Sequence, residues 1–196
     1  MSVRIVIPVR DPALGKSRLA RALGPAQRHA LNLRFFLHTL DIATRVAHPA
    51  DCFVVSRSDE MLMHAGAAGV HAIRETGLGL NAALEQAAAI IGGDTPLLSL
   101  STDLPLLAPD DLVAMIAVGV SADVVIAGDA SGTGTNALLL GRPKLIPYRY
   151  GIGSLKLHKA EVDRAGLAAT IVQRPGLAHD VDTPADLAAW PELHAA

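Results

Sequence analysis

The 196-residue chain has a single cysteine, Cys52. That excludes an internal disulfide and a zinc cage built from thiolates. The apolar neighbours Phe53, Val54 and Val55 make Cys52 a small buried hydrophobe rather than a nucleophile. Aromatic residues are 3% of a chain that is 51% hydrophobic, so Leu, Ala, Val and Ile must fill the interior. Cations are not in surplus: 17 Lys and Arg stand against 19 Asp and Glu, a net charge of −2. A dedicated nucleic-acid binder usually shows the opposite balance. The longest promising apolar run, residues 112–122, spans 11 residues, and a membrane-crossing helix needs about 20. The N-terminal stretch lacks a basic region, an apolar block and a cleavage site in that order. A cytoplasmic protein with no membrane or nucleic-acid partner is expected. The length suits one domain over residues 1–196, which would bury roughly 70% of its unfolded surface.

What is present is alternation. Short apolar runs at 3–9, 52–56, 70–74, 97–101, 123–127, 135–140 and 168–173 read as strands. Helical patterns cover 25–46, 59–68, 80–91, 109–118 and 154–165. Gly24-Pro25 opens the first of these, since proline at the first helical position gives up no useful N–H. Thr183-Pro184-Ala185-Asp186 has the form of a capping box that starts a last helix. Strands alternating with helices predict an α/β protein with a mainly parallel sheet covered on both faces. The less regular stretch 123–173 is expected to add an antiparallel edge. Ligands of such sheets bind outside the carboxyl ends of the strands. The loops after Val9, Arg74, Ser101 and Ala127 are therefore the candidate site.

The first loop carries Arg10, Lys16, Arg18 and Arg21, a local positive field suited to a polyphosphate. It lacks the spacing of a Walker loop. The second, Gly77-Leu78-Gly79-Leu80-Asn81, is a glycine turn entering a helix, with Asn81 able to reach a base or ribose. The third delivers Asp103, a hard oxygen ligand suited to Mg²⁺, before Pro105 turns the chain. A second acidic site is Asp180-Val181-Asp182. Only one of these acids is expected to face the pocket, with Asp182 favoured as ligand and Asp180 as support. Gly132-Thr133-Gly134-Thr135-Asn136 and Tyr150-Gly151-Ile152-Gly153-Ser154 are glycine-rich turns bearing hydroxyls. The second opens a helix whose N-terminus favours anions, with Ser154 as cap or donor. On that helix His158 and Lys156 read as a solvated face.

Taken in order, Ile7-Pro8-Val9 with Lys16-Ser17-Arg18-Leu19-Ala20, Gly77 to Asn81, Asp103-Leu104-Pro105-Leu106-Leu107, Gly134-Thr135-Asn136, Gly151-Ile152-Gly153-Ser154 and Asp180 to Leu187 resemble the 2-phospholactate guanylyltransferase family of deazaflavin coenzyme biosynthesis. The resemblance covers nearly the whole chain. It implies a Rossmann-like fold of the nucleotide-diphospho-sugar transferase (GT-A-like) type, a three-layer sandwich with a mixed, mostly parallel sheet. It implies GTP as donor and Mg²⁺ as cofactor. The acceptor it implies is a small phosphorylated carboxylic acid: 2-phospho-L-lactate, phosphoenolpyruvate or 3-phospho-D-glycerate. On this reading Lys16, Arg18 and Asp103 form the catalytic set, with Lys16 and Arg18 on the β- and γ-phosphates. Asp103 and Asp182 hold the metal. Pro8, Val9, Lys16, Gly79 and Asn81 bind the nucleotide, and Thr135, Asn136, Gly151 and Ser154 bind the acceptor. A homodimer is compatible with it.

The chain departs from the family pattern at Asp11 and Thr102. It also departs at Ala108, where a missing helix cap costs about 1 kcal/mol. Two rival readings stand beside this one. A molybdenum-cofactor nucleotidyltransferase shares the fold, but Pro8-Val9-Arg10-Asp11-Pro12 replaces its glycine-rich first loop. A non-catalytic nucleotide-binding protein would keep the fold without the turnover.

Overall fold

The computed structural model describes residues 2–190; Met1 and residues 191–196, the ends of the expected domain span, lie outside the described residues. Seven strands form one sheet: β1 (Arg4–Pro8), β2 (Cys52–Ser56), β3 (His71–Arg74), β4 (Leu97–Leu100), β5 (Val124–Gly128), β6 (Thr135–Leu140) and β7 (Ala169–Val172). Their order is β3-β2-β1-β4-β6-β5-β7. The helices are α1 (Pro25–Val46), α2 (Asp59–Ala67), α3 (Leu80–Ile91), α4 (Pro109–Val118), α5 (Ser154–Arg164), α6 (Pro175–Ala178) and α7 (Pro184–Ala188). Short 3-10 turns occupy Ser17–Arg21 and Pro49–Asp51.

The period of two along each strand builds the layers. On β1, Ile5 and Ile7 face one core with α1, α2 and α4, while Val6 faces a second core with α3 and α5. A third, smaller cluster holds Leu19 and Leu23 against Leu31 and Phe35 of α1, closed by Val181 and Leu187. Its importance is positional. It anchors the cation-bearing turn and the distant acidic segment to the same helix.

The antiparallel strand is not at the edge, as expected, but inside the sheet. β6 pairs antiparallel with both β4 and β5. Every residue of β6 is buried, so it can only lie between neighbours. β7, with three exposed residues, takes the edge and runs parallel to β5. At α4 the lost cap is half replaced: the Ala108 N–H donates to Asp111 Oδ2 at 3.0 Å.

β1 and β4 are neighbours, yet the chain leaves β1 toward β2 and β3 on one side and later returns to β4 on the other. That is the topological switch point, where open α/β sheets bind their ligands. Lys16 follows β1, and Asp103 follows β4.

Candidate active site

An open cavity of about 650 Å³ lies over the carboxyl ends of β1 to β4. Pro8, Val9, Lys16, Gly79, Asp103 and Asp182 all line it. Gly79 holds φ +87°, a conformation that favours glycine, and so lets the chain turn into α3 at the rim. Arg18, Asn81, Thr135, Asn136, Gly151 and Ser154 do not line this cavity.

At its charged end, Lys16 Nζ donates to Asp103 Oδ2 at 2.5 Å and to Asp182 Oδ1 at 2.9 Å. Arg18 Nη1 lies 3.3 Å from Asp182 Oδ2 and is otherwise exposed. Lys16 is thus engaged with the carboxylates, not free in the cavity as its phosphate role would suggest. Burial pulls its pKa down, but the two aspartates outweigh that and raise it above the ordinary lysine value. Its backbone sits in the left-handed region at φ 54°, a strain of about 1–2 kcal/mol for a residue with a Cβ. Such strain recurs where the surroundings fix a functional side chain.

Of the second acidic pair only Asp182 lines the cavity, as expected, but Asp180 does not stand apart from the cluster. Asp180 and Asp182 both join Asp103, and ligand oxygens of the three lie within 4.8 Å of one another. Residues two apart in an extended segment point the same way. Val181 takes the opposite side and is fully buried in the third cluster. The Val181 N–H donates to the Asp103 carbonyl at 3.1 Å, which docks the segment beside the β4 loop. Asp186 Oδ2 accepts from the N–H groups of Asp182 and Thr183, the expected capping box of α7. Burial and the nearby charge of Asp103 raise the pKa of Asp180. Asn136 Nδ2 reaches Asp180 Oδ1 at 3.4 Å and donates to the Leu177 carbonyl at 2.9 Å. Asn136 therefore orients an acid of the cluster.

Asn81 does not point its amide at the cavity. Its Nδ2 donates to the Tyr150 carbonyl at 3.0 Å, and its Oδ1 accepts from the Tyr150 N–H at 2.8 Å. Both polar atoms are engaged, so Asn81 clamps Tyr150, which does line the cavity, and joins the glycine turn before α3 to the 150–154 loop. Tyr150 is a site residue that the sequence left unassigned; its partner lies 69 positions away, and no local signal reveals such a pair. Its hydroxyl lies 2.7 Å from Ser99 Oγ.

The two hydroxyl-bearing loops are adjacent, since the Leu155 N–H donates to the Thr133 carbonyl at 3.1 Å. Thr135 and Ser154 are buried there, and Gly151 is exposed. Gly153, at φ +70°, supplies the left-handed step into α5. His158 is not on a solvated face but fully buried; Lys156 is exposed as expected. The period of the helix explains it, because Ser154, His158, Glu161 and Val162 form one buried stripe. The Arg149 N–H donates to His158 Nε2 at 2.9 Å, so Nδ1 carries the proton and donates to Thr135 Oγ1 at 3.1 Å. Burial lowers the His158 pKa from 6.5 to about 4. A folded value below the unfolded one means that the unfolded chain binds the extra proton between them. This contribution is complete above pH 6.5 and is lost as pH falls toward 4, up to about 3 kcal/mol. The melting temperature should therefore drop more steeply from pH 7 to 4.5 in the native protein than in His158→Gln; equal slopes would refute this.

With three carboxylates and two cations at its switch point, the mixed, mostly parallel sheet is that of the nucleotide-diphospho-sugar transferase fold, and its family and relatives make the chain a nucleotidyltransferase. A solved protein from Desulfovibrio desulfuricans described as a nucleotide-diphospho-sugar transferase superposes with a TM-score of 0.75 at 20% identity, covering 95% of this chain and 85% of its own. The chain belongs to the family described as guanylyl transferase CofC like, which matches residues 3–192. It is 39% identical to phosphoenolpyruvate guanylyltransferase of Rubrobacter xylanophilus, over 96% of this chain and 93% of the relative. It is 33% identical to 3-phospho-D-glycerate guanylyltransferase of Colwellia psychrerythraea, over 95% and 90%. Among the described residues no helix is long and apolar enough to cross a membrane.

Proposed function

We propose that the protein transfers GMP from GTP to the phosphate of phosphoenolpyruvate, releasing pyrophosphate, as a step of deazaflavin coenzyme biosynthesis. The observation that carries this reading is the cluster of Asp103, Asp180, Asp182 and Lys16 at one end of a nucleotide-sized cavity. The named relative at 39% identity supports phosphoenolpyruvate as acceptor. The relative from Colwellia supports 3-phospho-D-glycerate as a second reading.

The acceptor phosphate is already ionised, so it attacks the α-phosphorus of GTP without a general base. The bond to pyrophosphate breaks as the new P–O bond forms. Catalysis then consists of positioning and charge neutralisation. The donor set fits Mg²⁺: three hard carboxylate oxygens lie close together. Lys16 already sits between two of the acids, which marks that space as one made for positive charge. Mg²⁺ held by Asp103, Asp180 and Asp182 would neutralise negative charge on the phosphates. Lys16 and Arg18 stabilise the departing pyrophosphate, which requires Lys16 to leave its aspartates for the triphosphate. Pro8, Val9 and Gly79 line the nucleoside. Thr135, Gly151 and Ser154 receive the acceptor, with Asn136 supporting the acids beside it.

The test is to offer GTP and Mg²⁺ with phosphoenolpyruvate, 3-phospho-D-glycerate or 2-phospho-L-lactate and to measure pyrophosphate. Phosphoenolpyruvate should give the highest kcat/KM. Preference for another acid would reassign the acceptor, and release with none would overturn the proposal.

A further inference from the structure

The cavity has a second end that the phosphate chemistry does not use. Along the sheet, the carboxyl end of β3 is three strands from that of β4. At about 4.8 Å per strand this places it roughly 14 Å from the Asp103 loop. Glu75 stands there, lining the cavity with a side chain only 14% exposed. Val55, Leu78, Leu80 and Ala83 give this part of the lining apolar surface for the faces of a purine, with the Arg57 guanidinium beside Glu75 as its charged neighbour.

Glu75 is held firmly. Its N–H donates to the Ser56 carbonyl at 2.8 Å, which continues the β2–β3 pairing by one residue. Arg57 Nε lies 3.3 Å from Glu75 Oε1, and Arg57 also donates to the Gly77 carbonyl. Gln86 of α3 accepts from the Thr76 N–H at 2.9 Å and donates to the Arg74 carbonyl at 2.8 Å. The carboxylate therefore projects from a braced strand end. Glu75 Oε2 has no hydrogen-bond partner among the described residues.

We infer that Glu75 is the residue that selects guanine, accepting hydrogen bonds from the base N1–H and 2-amino group. This rests on the reading of GTP as donor. An ionised carboxylate only accepts hydrogen bonds. Guanine offers two adjacent donors on that edge. Adenine offers an acceptor at N1 and no 2-amino group, so it leaves the carboxylate unpaired and faces it with a lone pair. The one other carboxylate lining the cavity outside the acidic cluster among the described residues, Asp11 on the loop after β1, accepts from the Ala13 N–H at 2.9 Å through Oδ1 and so closes its own turn.

The substitution Glu75→Gln turns one acceptor oxygen into a donor. It should clash with the guanine 2-amino group and suit xanthine, which carries an oxygen at that position. kcat/KM would be measured for GTP, ITP and XTP with whichever acid the native enzyme uses. For the native enzyme GTP should lead ITP by about 10- to 100-fold, the effect of one lost partner. In Glu75→Gln the GTP value should fall by about 10- to 100-fold, while the XTP value rises above it. A brace for the loop would alter stability but could not create a preference for XTP. An unchanged GTP-to-XTP ratio in Glu75→Gln would overturn the assignment, as would a collapse of that ratio in Asp11→Asn alone. If the native enzyme releases no pyrophosphate from GTP with any acid, it is the function reading that fails, and GTP against XTP binding by calorimetry still tests Glu75.

Discussion

Asp103→Asn should lose about 10³-fold in turnover with GTP while melting within a few degrees of the native protein. On the proposed reading Asp103 helps neutralise charge at the reacting phosphates, and removing one such group costs up to about 10³-fold. The fold should survive because the structural role of Asp103 lies in its backbone, whose carbonyl accepts from the Val181 N–H. Asparagine keeps that carbonyl and still offers an oxygen to Lys16. What it loses is the negative charge shared with Asp180 and Asp182. Steady-state pyrophosphate release and thermal melting, measured on the same sample, check both halves. Turnover within tenfold of native would remove Asp103 from the metal site. A collapsed melting transition would instead show that its ion pair with Lys16 is structural.

Much of the fold was legible because its punctuation is local. Pro25 and Pro109 start α1 and α4, and Gly92 and Gly119 end α3 and α4, at the residues expected. Strand positions followed from short apolar runs. Strand direction did not, because β6 is buried on both faces and reads the same whichever way it runs. The 3-10 turn after Lys16 is too short to leave a periodic pattern, and the burial of Leu19 depends on partners near residues 31 and 181.

For the site, the residue types were readable and their engagements were not. Asp180 and Asp182 could have been placed together, since period-two spacing puts both on one side of the segment. His158 could likewise have been placed on the buried stripe with Ser154, four residues earlier. Asn81 could not. A polar residue one position into a helix can serve a ligand or the protein, and only the position of Tyr150 decides between them. Glu75 lies two residues before the glycine turn at Gly77, but without strand order nothing in the sequence places it three strands away from the Asp103 loop.

Lys16→Met should lower kcat by about 10²- to 10³-fold and should also change how the protein responds to Mg²⁺ without nucleotide. In the native structure the Lys16 ammonium sits between Asp103 and Asp182 with its side chain only 9% exposed. It is the internal counter-ion of the cluster, so an Mg²⁺ ion held there, as proposed, would compete with it for the same oxygens. Methionine keeps the apolar stem and removes the charge, leaving three acids of which, among the described residues, only Asp182 keeps an ion pair, with Arg18. Without metal the variant should be less stable by about 2 kcal/mol. That is below the roughly 3–5 kcal/mol for breaking a fully buried pair, because both aspartates retain contact with water. With millimolar Mg²⁺ its melting temperature should rise more than that of the native protein, since the ion now meets no competing ammonium. The sign of the pH effect is also set. A lysine whose folded pKa is raised stabilises fully below its unfolded value near 10.5, and the stabilisation fades as pH climbs through the raised value. The native protein and the Lys16→Met variant should therefore converge in stability at strongly alkaline pH. Equal Mg²⁺-induced shifts in both proteins would mean that Lys16 and the metal do not share the site. In that case the lysine would stand permanently with the acids, and the charge on the β- and γ-phosphates would fall to Arg18 and the other cations of the first loop.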